Sequence, residues 1–258
     1  MFENSSIFVA GHRGLVGSAI VRQLRASGYR NLLLRSRDEL DLREAAQVDR
    51  FFASERPEYV FLAAAKVGGI LANSTYPVDF LRDNLLIELN VIEAAYRHGV
   101  KKLEMLGSSC IYPKLAPQPL REDYLLSGPL EPTNEWYAIA KIAGIKLAQA
   151  YWKQHGFHAI SLMPSNVYGP EEKFDLTTSH VLPALIRKFH EAKNSGAAEV
   201  VLWGTGSARR DFLHVDDLAA AAAQLMIEYD EPEIINIGSG EDLTIAELAE
   251  IVRGVVGF

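Results

Sequence analysis

Short apolar runs alternate with longer amphipathic ones along the first two thirds of the chain. Ile7-Phe8-Val9-Ala10 reads as a strand, and the residues after Gly17 as a helix to about Ser27, with Gly28 placed to end it in the left-handed region. Asn31 to Leu34 is a second strand, and Asp41 with Glu44 forms a capping-box pattern that opens a helix ending before Pro57. Tyr59 to Leu62 is a third strand. Val78 to Gly99 is a long helix whose apolar residues recur every three or four positions, and Lys102 to Leu106 is a fourth strand. A proline-rich connection (Pro113, Pro117, Pro119, Pro129, Pro132) leads to a helix from Glu135 to Gly156 and a strand from Ala159 to Met163. Such alternation implies right-handed crossovers and a parallel sheet covered on both faces. The predicted class is α/β, a doubly wound parallel sheet.

Past Pro164 the rhythm loosens. A loop (Asn166 to Thr178) precedes a helix from Val181 to about Asn194, then a strand from Glu199 to Trp203 and a helix from Asp217 to Tyr229. Ile234 to Ile237 reads as a returning strand, and Thr244 with Glu247 caps a last helix. The pattern divides the chain into a larger unit, residues 1–165 completed by 211–240, and a smaller C-terminal one, residues 166–210 and 241–258. With 48% hydrophobic and 23% charged residues among 258, a packed core is expected.

The net charge of -7 argues against a nucleic-acid or anionic-membrane partner, since both attract clustered Lys and Arg. It leaves room for a phosphate-bearing small molecule, which needs only a local basic pocket. Glu3 stands where a signal peptide needs bases, and the uncharged run from Leu218 to Ile227 is half what a bilayer requires. The single cysteine fits a reducing compartment, so a cytoplasmic location is expected.

Gly11-x-x-Gly14-x-x-Gly17 lies between a strand and a helix, where a phosphate-binding turn must be. A sharp turn there brings backbone against a pyrophosphate, and the helix amino terminus adds partial positive charge. Any tight strand-helix turn can use glycines, so position within a βαβ unit carries the assignment. At the end of the second strand an NAD enzyme usually places Asp or Glu for the ribose hydroxyls. Here stand Arg35-Ser36-Arg37, with Arg13 inside the glycine turn. Guanidiniums converging there suit a 2′-phosphate and favour NADP; the bland alternative is a solvated basic turn, and Asp38 and Glu39 keep some NAD use open.

Tyr137 and Lys141 are four residues apart in a predicted helix and project from one face. A neighbouring ammonium favours the phenolate, which would bring a pKa of about 10 toward working range. Y-x-x-x-K is common by chance. It gains weight from Ser108-Ser109-Cys110 after the fourth strand, because the carboxyl ends of parallel strands line the ligand crevice. Taken alone, Cys110 is more often a small buried hydrophobe, and His180 more often a helix cap or core histidine. The remaining histidines show no metal spacing, so no metal is expected.

With these motifs in place, the chain resembles the GDP-L-fucose synthases, extended short-chain dehydrogenase/reductases. The segments that carry the resemblance are Gly11-His12-Arg13-Gly14, Leu62-Ala63-Ala64-Ala65-Lys66-Val67-Gly68-Gly69, Gly107-Ser108-Ser109-Cys110-Ile111-Tyr112-Pro113 and Glu131-Pro132-Thr133-Asn134-Glu135. Tyr137-Ala138-Ile139-Ala140-Lys141, Met163-Pro164 with Asn166, and Phe212-Leu213-His214-Val215-Asp216-Asp217 belong with them. It implies a Rossmann domain and a smaller substrate domain. It also implies NADPH-dependent 3,5-epimerisation and 4-reduction of GDP-4-keto-6-deoxy-D-mannose to GDP-L-fucose.

By the same resemblance, Tyr137 donates the proton to the C4 oxygen, Ser108 assists, and Lys141 supports tyrosine and cofactor. Cys110 and His180 are the epimerisation pair, one removing and one returning protons alpha to the ketone. Around NADP the resemblance places the turn residues Gly11 to Gly14 with Leu15, Val16 and Gly17, then Arg37, Asp38, Asp41 and Leu42. It adds Leu62, Ala63 and Ala64 after the third strand, and Leu106, Gly107, Ser108 and Ser109 after the fourth. Tyr137, Lys141, Pro164, Ser165, Asn166, Val167 and His180 complete that set. Ser109, Cys110, Asn166, Lys188, Trp203 and Arg210 are placed on the GDP-sugar, although Trp203 could be core and Arg209-Arg210-Asp211 a surface ion-pair cluster.

A homodimer through the two long helices is implied. Family members continue for several tens of residues past the position of Phe258, so the substrate domain is expected to be truncated. The competing expectations are another NAD(P)-dependent sugar-nucleotide epimerase or reductase of the same fold, and an inactive truncated paralogue.

Overall fold

The structure, a computed structural model, describes residues 1, 3–175 and 179–258. In chain order it contains β1 (Ile7–Ala10), α1 (Leu15–Ala26), β2 (Leu32–Leu33), α2 (Ala45–Glu55), β3 (Tyr59–Leu62), α3 (Ile70–Thr75), α4 (Pro77–Arg97) and β4 (Lys102–Leu106). Then come α5 (Glu135–His155), β5 (Ala159–Pro164), β6 (Asn166–Tyr168), α6 (Val181–Ser195), β7 (Arg209–His214), α7 (Val215–Glu228), β8 (Ile234–Ile237), β9 (Asp242–Thr244) and α8 (Ile245–Val256). Six strands form one sheet in the order β2-β1-β3-β4-β5-β8, every neighbouring pair parallel. The doubly wound class is as expected.

Strands of such a sheet are covered on both faces, which is why they read as unbroken apolar runs. One face packs Phe8, Val60, Leu62, Leu103 and Met105 against α2, α4 and α5. The other packs Ile7, Val9, Phe61, Leu106, Ile160 and Leu162 against α1 and α7. The register pairs Ala10 with Leu62 and Leu106 with Leu162, so β1, β3, β4 and β5 end side by side. Polar chemistry therefore collects along one edge.

A second, three-stranded sheet, β6-β7-β9, joins β6 to β7 in parallel and β7 to β9 antiparallel. With α6 and α8 it encloses a separate small core of Leu185, Phe189, Leu248, Ala249 and Val252. Asp211 ties this sheet to the main one. Its carboxylate accepts from Ser165 Oγ at 2.8 Å, from Ser239 N at 3.1 Å and Oγ at 3.0 Å, and from Gly240 N at 3.3 Å.

Three local expectations change. The strand foreseen at Glu199–Trp203 does not form, and Val201 and Trp203 stand exposed. β-Branched residues favour a strand only where a ladder is available. The ladder is offered instead to Arg209–His214, whose two arginines and aspartate read as a polar turn. The Asp41–Glu44 box also fails: the Asp41 carboxylate is drawn to Arg43 Nε at 2.9 Å, and α2 starts at Ala45 without a side-chain cap. The Thr244–Glu247 box does form, with reciprocal bonds of 3.1 and 2.7 Å. Finally, α3 and β6 occupy segments read as connections.

One residue works against the core. Glu104, in the middle of β4, is 0% exposed, and neither carboxyl oxygen meets a hydrogen-bond partner among the described residues. Burial pushes its pKa well above the ordinary carboxylate range, with only Lys102 pulling the other way. An acid whose pKa is raised by folding contributes fully below its unfolded pKa and loses that contribution as pH climbs toward the folded value. Glu104→Leu is therefore expected to stabilise the chain by roughly 1–3 kcal/mol at neutral pH. Thermal melts across pH should show the gain shrinking on acidification into the carboxylate range; a gain that stays constant with pH contradicts this account.

Candidate active site

The glycine turn sits at the carboxyl end of β1. Gly11 has φ +84°, and a Cβ there would fall 2.8 Å from the Ala64 backbone at the end of β3. A Cβ on Gly17 would collide with the Gly11 carbonyl. Gly14 N donates to Gly11 O at 2.9 Å and caps α1 without a side chain, so the first amides of α1 face outward uncapped. The Nδ1 of His12 is buried beside them without a partner among the described residues. An open helix amino terminus, a cradle with no Cβ and an orphaned ring nitrogen fit a pyrophosphate.

Beyond β2 the three expected guanidiniums separate. Arg35 donates to Glu55 at 2.7 Å and lies over the Phe51 ring, so it belongs to the α2 packing. Arg13 and Arg37 are exposed and make no ion pair among the described residues. Glu39, the acid able to hold ribose hydroxyls, is taken up by Ser36, whose N and Oγ both donate to it at 2.7 Å. Asp41 is bound to Arg43, which holds its carboxyl down at about 2, while Asp38 is exposed and Leu42 half-buried against the core. Besides the engaged Glu39, what remains exposed at this edge is Arg13, Arg37 and Asp38, two cations against one acid.

The catalytic candidates meet above β4. Gly107 follows the strand, and Ser108 accepts a bond from Cys110 N at 3.3 Å as the chain turns into a short 3₁₀ segment, Ser109–Ile111. Helix α5 crosses there, with Tyr137 and Lys141 one turn apart. Lys141 Nζ donates to Leu106 O at 2.9 Å, lies 3.1 Å from Glu88 Oε1 of α4, and stands 5.8 Å from the Tyr137 ring centre.

The expected lowering of the tyrosine does not occur. Burial pushes the Tyr137 pKa well above the ordinary phenol, and negative charge at Cys110 and Glu88 adds to it. The physical reason is burial first, with the Lys141 ammonium turned to Glu88 and Leu106 O. Tyr137 thus keeps its proton, as an acid must. Burial likewise raises the Cys110 thiol to about 11, while Ser108 and the Lys141 charge pull it down. Cys110 is half-buried in that turn, within the electrostatic reach of Lys141 and Tyr137.

Other candidates fall elsewhere. His180 is exposed at the amino end of α6 and does not cap it; the residues just before Ser179 lie outside the described residues. Pro164 ends β5, Ser165 Oγ holds Asp211, Asn166 Nδ2 donates to Asp211 O at 3.0 Å, and Val167 packs on the core. Ser165 is thus engaged at the junction of the two sheets, and Asn166 within the smaller one.

On the small unit, Lys188 Nζ donates to Val201 O at 3.1 Å and lies 5.0 Å from the Trp203 ring centre. Trp203 is 71% exposed, which removes the alternative of a core indole. Arg209 pairs with Asp242 at 2.7 Å, whereas Arg210 makes no ion pair among the described residues. The sequence pattern missed Glu88, whose place among apolar neighbours on α4 reads as a chance solvent position. It also missed Gly144, which lies against Glu88.

Residues 7–238 match the NAD dependent epimerase/dehydratase family. The chain is 64% identical to GDP-L-fucose synthase 1 of Arabidopsis thaliana over 99% of its own length and 79% of that protein. It is 56% identical to GDP-L-fucose synthase of Escherichia coli K12, over 98% of this chain and 81% of that one. The chain belongs to the GDP-L-fucose synthase family. A solved GDP-L-fucose synthetase from Naegleria fowleri bound to NADP superposes with a TM-score of 0.91 at 29% identity, covering 100% of this chain and 79% of that chain. The cofactor of this family is NADP.

Arg37→Ala is expected to weaken NADPH binding at least about tenfold and NADH binding hardly at all, since a charge-assisted phosphate contact is lost in one case only. Fluorescence titration of both nucleotides measures this. Equal losses rule out 2′-phosphate recognition by Arg37.

Proposed function

We propose that this chain converts GDP-4-keto-6-deoxy-D-mannose to GDP-L-fucose, epimerising C3 and C5 and then reducing the C4 ketone at the expense of NADPH. The observation that carries the reading is the gathering of one thiol, one phenol and one ammonium above the end of β4: Lys141 Nζ lies 5.8 Å from the Tyr137 ring centre, and Cys110 sits in the Ser108 turn beside them. A plain reductase needs the last two; a thiol on the same spot suits proton exchange beside a carbonyl.

The bound NADPH supplies hydride, and the side chains handle the protons. The α1 amides and the Gly11–Gly17 turn would hold its pyrophosphate, and Arg13 and Arg37 would face its 2′-phosphate. Tyr137, held protonated by burial, delivers its proton to the C4 oxygen as that oxygen gains charge, and Ser108 donates to the same oxygen. Lys141 stabilises the phenolate left behind. The C4 carbonyl acidifies C3 and C5, and Cys110 with His180 remove and return those protons. Lys188 and Arg210 lie toward the diphosphate and Trp203 toward the base or sugar.

Two further expectations belong to this reading. A homodimer through α4 and α5 is supported by the exposed Leu89, Trp136 and Ile139 on those helices. No helix among the described residues is long and apolar enough to cross a membrane, and the nucleotide-sugar substrate suits a cytoplasmic enzyme.

Tyr137→Phe is expected to abolish NADPH oxidation while deuterium from solvent still enters C3 and C5 of the keto-sugar. Loss of that exchange as well contradicts the division of labour. Cys110→Ser is expected to suppress exchange by about 10² or more and to leave slow hydride transfer to unepimerised sugar. Unchanged isotope incorporation removes Cys110 from the mechanism. Incubating the purified chain with the keto-sugar and NADPH, with identification of the product, tests the whole reading.

A further inference from the structure

The ammonium of Lys141 and the carboxylate of Glu88 form an ion pair in which both side chains are only 2% exposed. Neither oxygen of Glu88 meets another hydrogen-bond donor among the described residues. Removing two charges from water is costly, and a bare pair often serves no better than apolar residues would. An apolar residue at position 88 would be the ordinary choice for α4, whose neighbouring inward positions are Ile87, Val91 and Ile92. The pair lies directly behind the reacting group rather than elsewhere in the core.

The surroundings are shaped to admit it. A Cβ on Gly144, one turn beyond Lys141 on α5, would collide with Glu88 Oε2 and come within 2.6 Å of the Met105 methyl. Glycine inside a helix costs roughly 0.5–1 kcal/mol against alanine. Here its missing side chain is the space that the carboxylate occupies. The titratable groups in reach are Lys141 and Tyr137 from α5, with Cys110 from the turn after β4 acting on both. From β4 itself the Met105 methyl is what lies beside Gly144.

We propose that Glu88 is a positioning residue for the reduction: from behind Lys141 it holds the ammonium charged and aimed at Leu106 O, and so sets the pH at which Tyr137 can still deliver its proton. This rests on the reductase reading above. Removing the anion leaves a buried cation without compensation. Either the lysine then gives up its proton, or Tyr137 becomes a phenolate to replace the missing negative charge. Both routes end proton delivery at lower pH.

Two measurements test the proposal. In the pH profile of kcat for NADPH oxidation by GDP-4-keto-6-deoxy-D-mannose, Glu88→Gln should move the basic limb down by about one pH unit or more. Gly144→Ala, which pushes the carboxylate off its seat, should move it the same way. A purely structural role lowers the melting temperature and leaves the limb in place.

The second measurement needs no activity or cofactor. Melting temperatures of wild type, Glu88→Gln, Lys141→Met and the double variant form a cycle. The double variant should melt above Glu88→Gln alone, because it leaves no unpaired buried charge. If Glu88→Gln alone does not fold, recovery of the fold in the double variant supports the pair, and no recovery overturns it. Additive melting shifts or an unmoved basic limb overturn the proposal. An inactive wild type with a coupled cycle instead overturns the reductase reading and leaves the pair standing.

Discussion

The parallel ladder β1-β3-β4-β5 constrains everything else in this protein. Because both faces of that sheet are buried, its strands carry apolar side chains on each side and have room for chemistry only where they stop. The register makes them stop together, so the glycine turn after β1, the backbone of Ala64 after β3 and the Ser108 turn after β4 lie along one edge. The near contact of Gly11 with Ala64 follows directly, since two strand ends this close leave no room for a Cβ. Helix α1 then rises from the same edge with its amides uncapped.

Behind that edge the electrostatics differ from what a tyrosine and a lysine one turn apart would do in water. There, the ammonium would favour the phenolate. In the enclosed site it is shared with Glu88 and Leu106 O, and burial keeps the phenol and the thiol protonated. A reductase that must hand a proton to a new alkoxide is served by a phenol that resists ionising until charge appears before it. The same enclosure makes each nearby charge count for more than it would at the surface.

The smaller unit is attached by polar as well as apolar means, since Leu213 and Val167 pack into the main core. Asp211 gathers Ser165, Ser239 and Gly240 in one carboxylate, and Asn166 adds its bond to the Asp211 carbonyl, so the crevice floor is fixed by charged hydrogen bonds at its rim. Ser165, expected on the cofactor, thus has its side chain engaged in holding two sheets together, while the Asn166 side chain braces the smaller sheet. Lys188, Trp203 and Arg210 hang from that unit with their polar or aromatic faces outward.

What the amino-acid order determined by itself was local and repetitive: the 3.6-residue apolar spacing of α4, the continuous apolar runs of β1, β3 and β4, the glycine turn, and the order Gly–Ser–Tyr–Lys along the chain. These depend on side-chain periodicity and backbone permissiveness, which are properties of neighbours in sequence. Only the tertiary structure decided between Glu199–Trp203 and Arg209–His214 for the middle strand of the small sheet, because a strand exists where a ladder is offered. Only it could remove Arg35 from the 2′-phosphate group by supplying Glu55, take Glu39 into the Ser36 turn, and bring Glu88 beneath Lys141 from 53 residues away. Charge pairing in an enclosed site depends on distance through space, and a single sequence carries no measure of that.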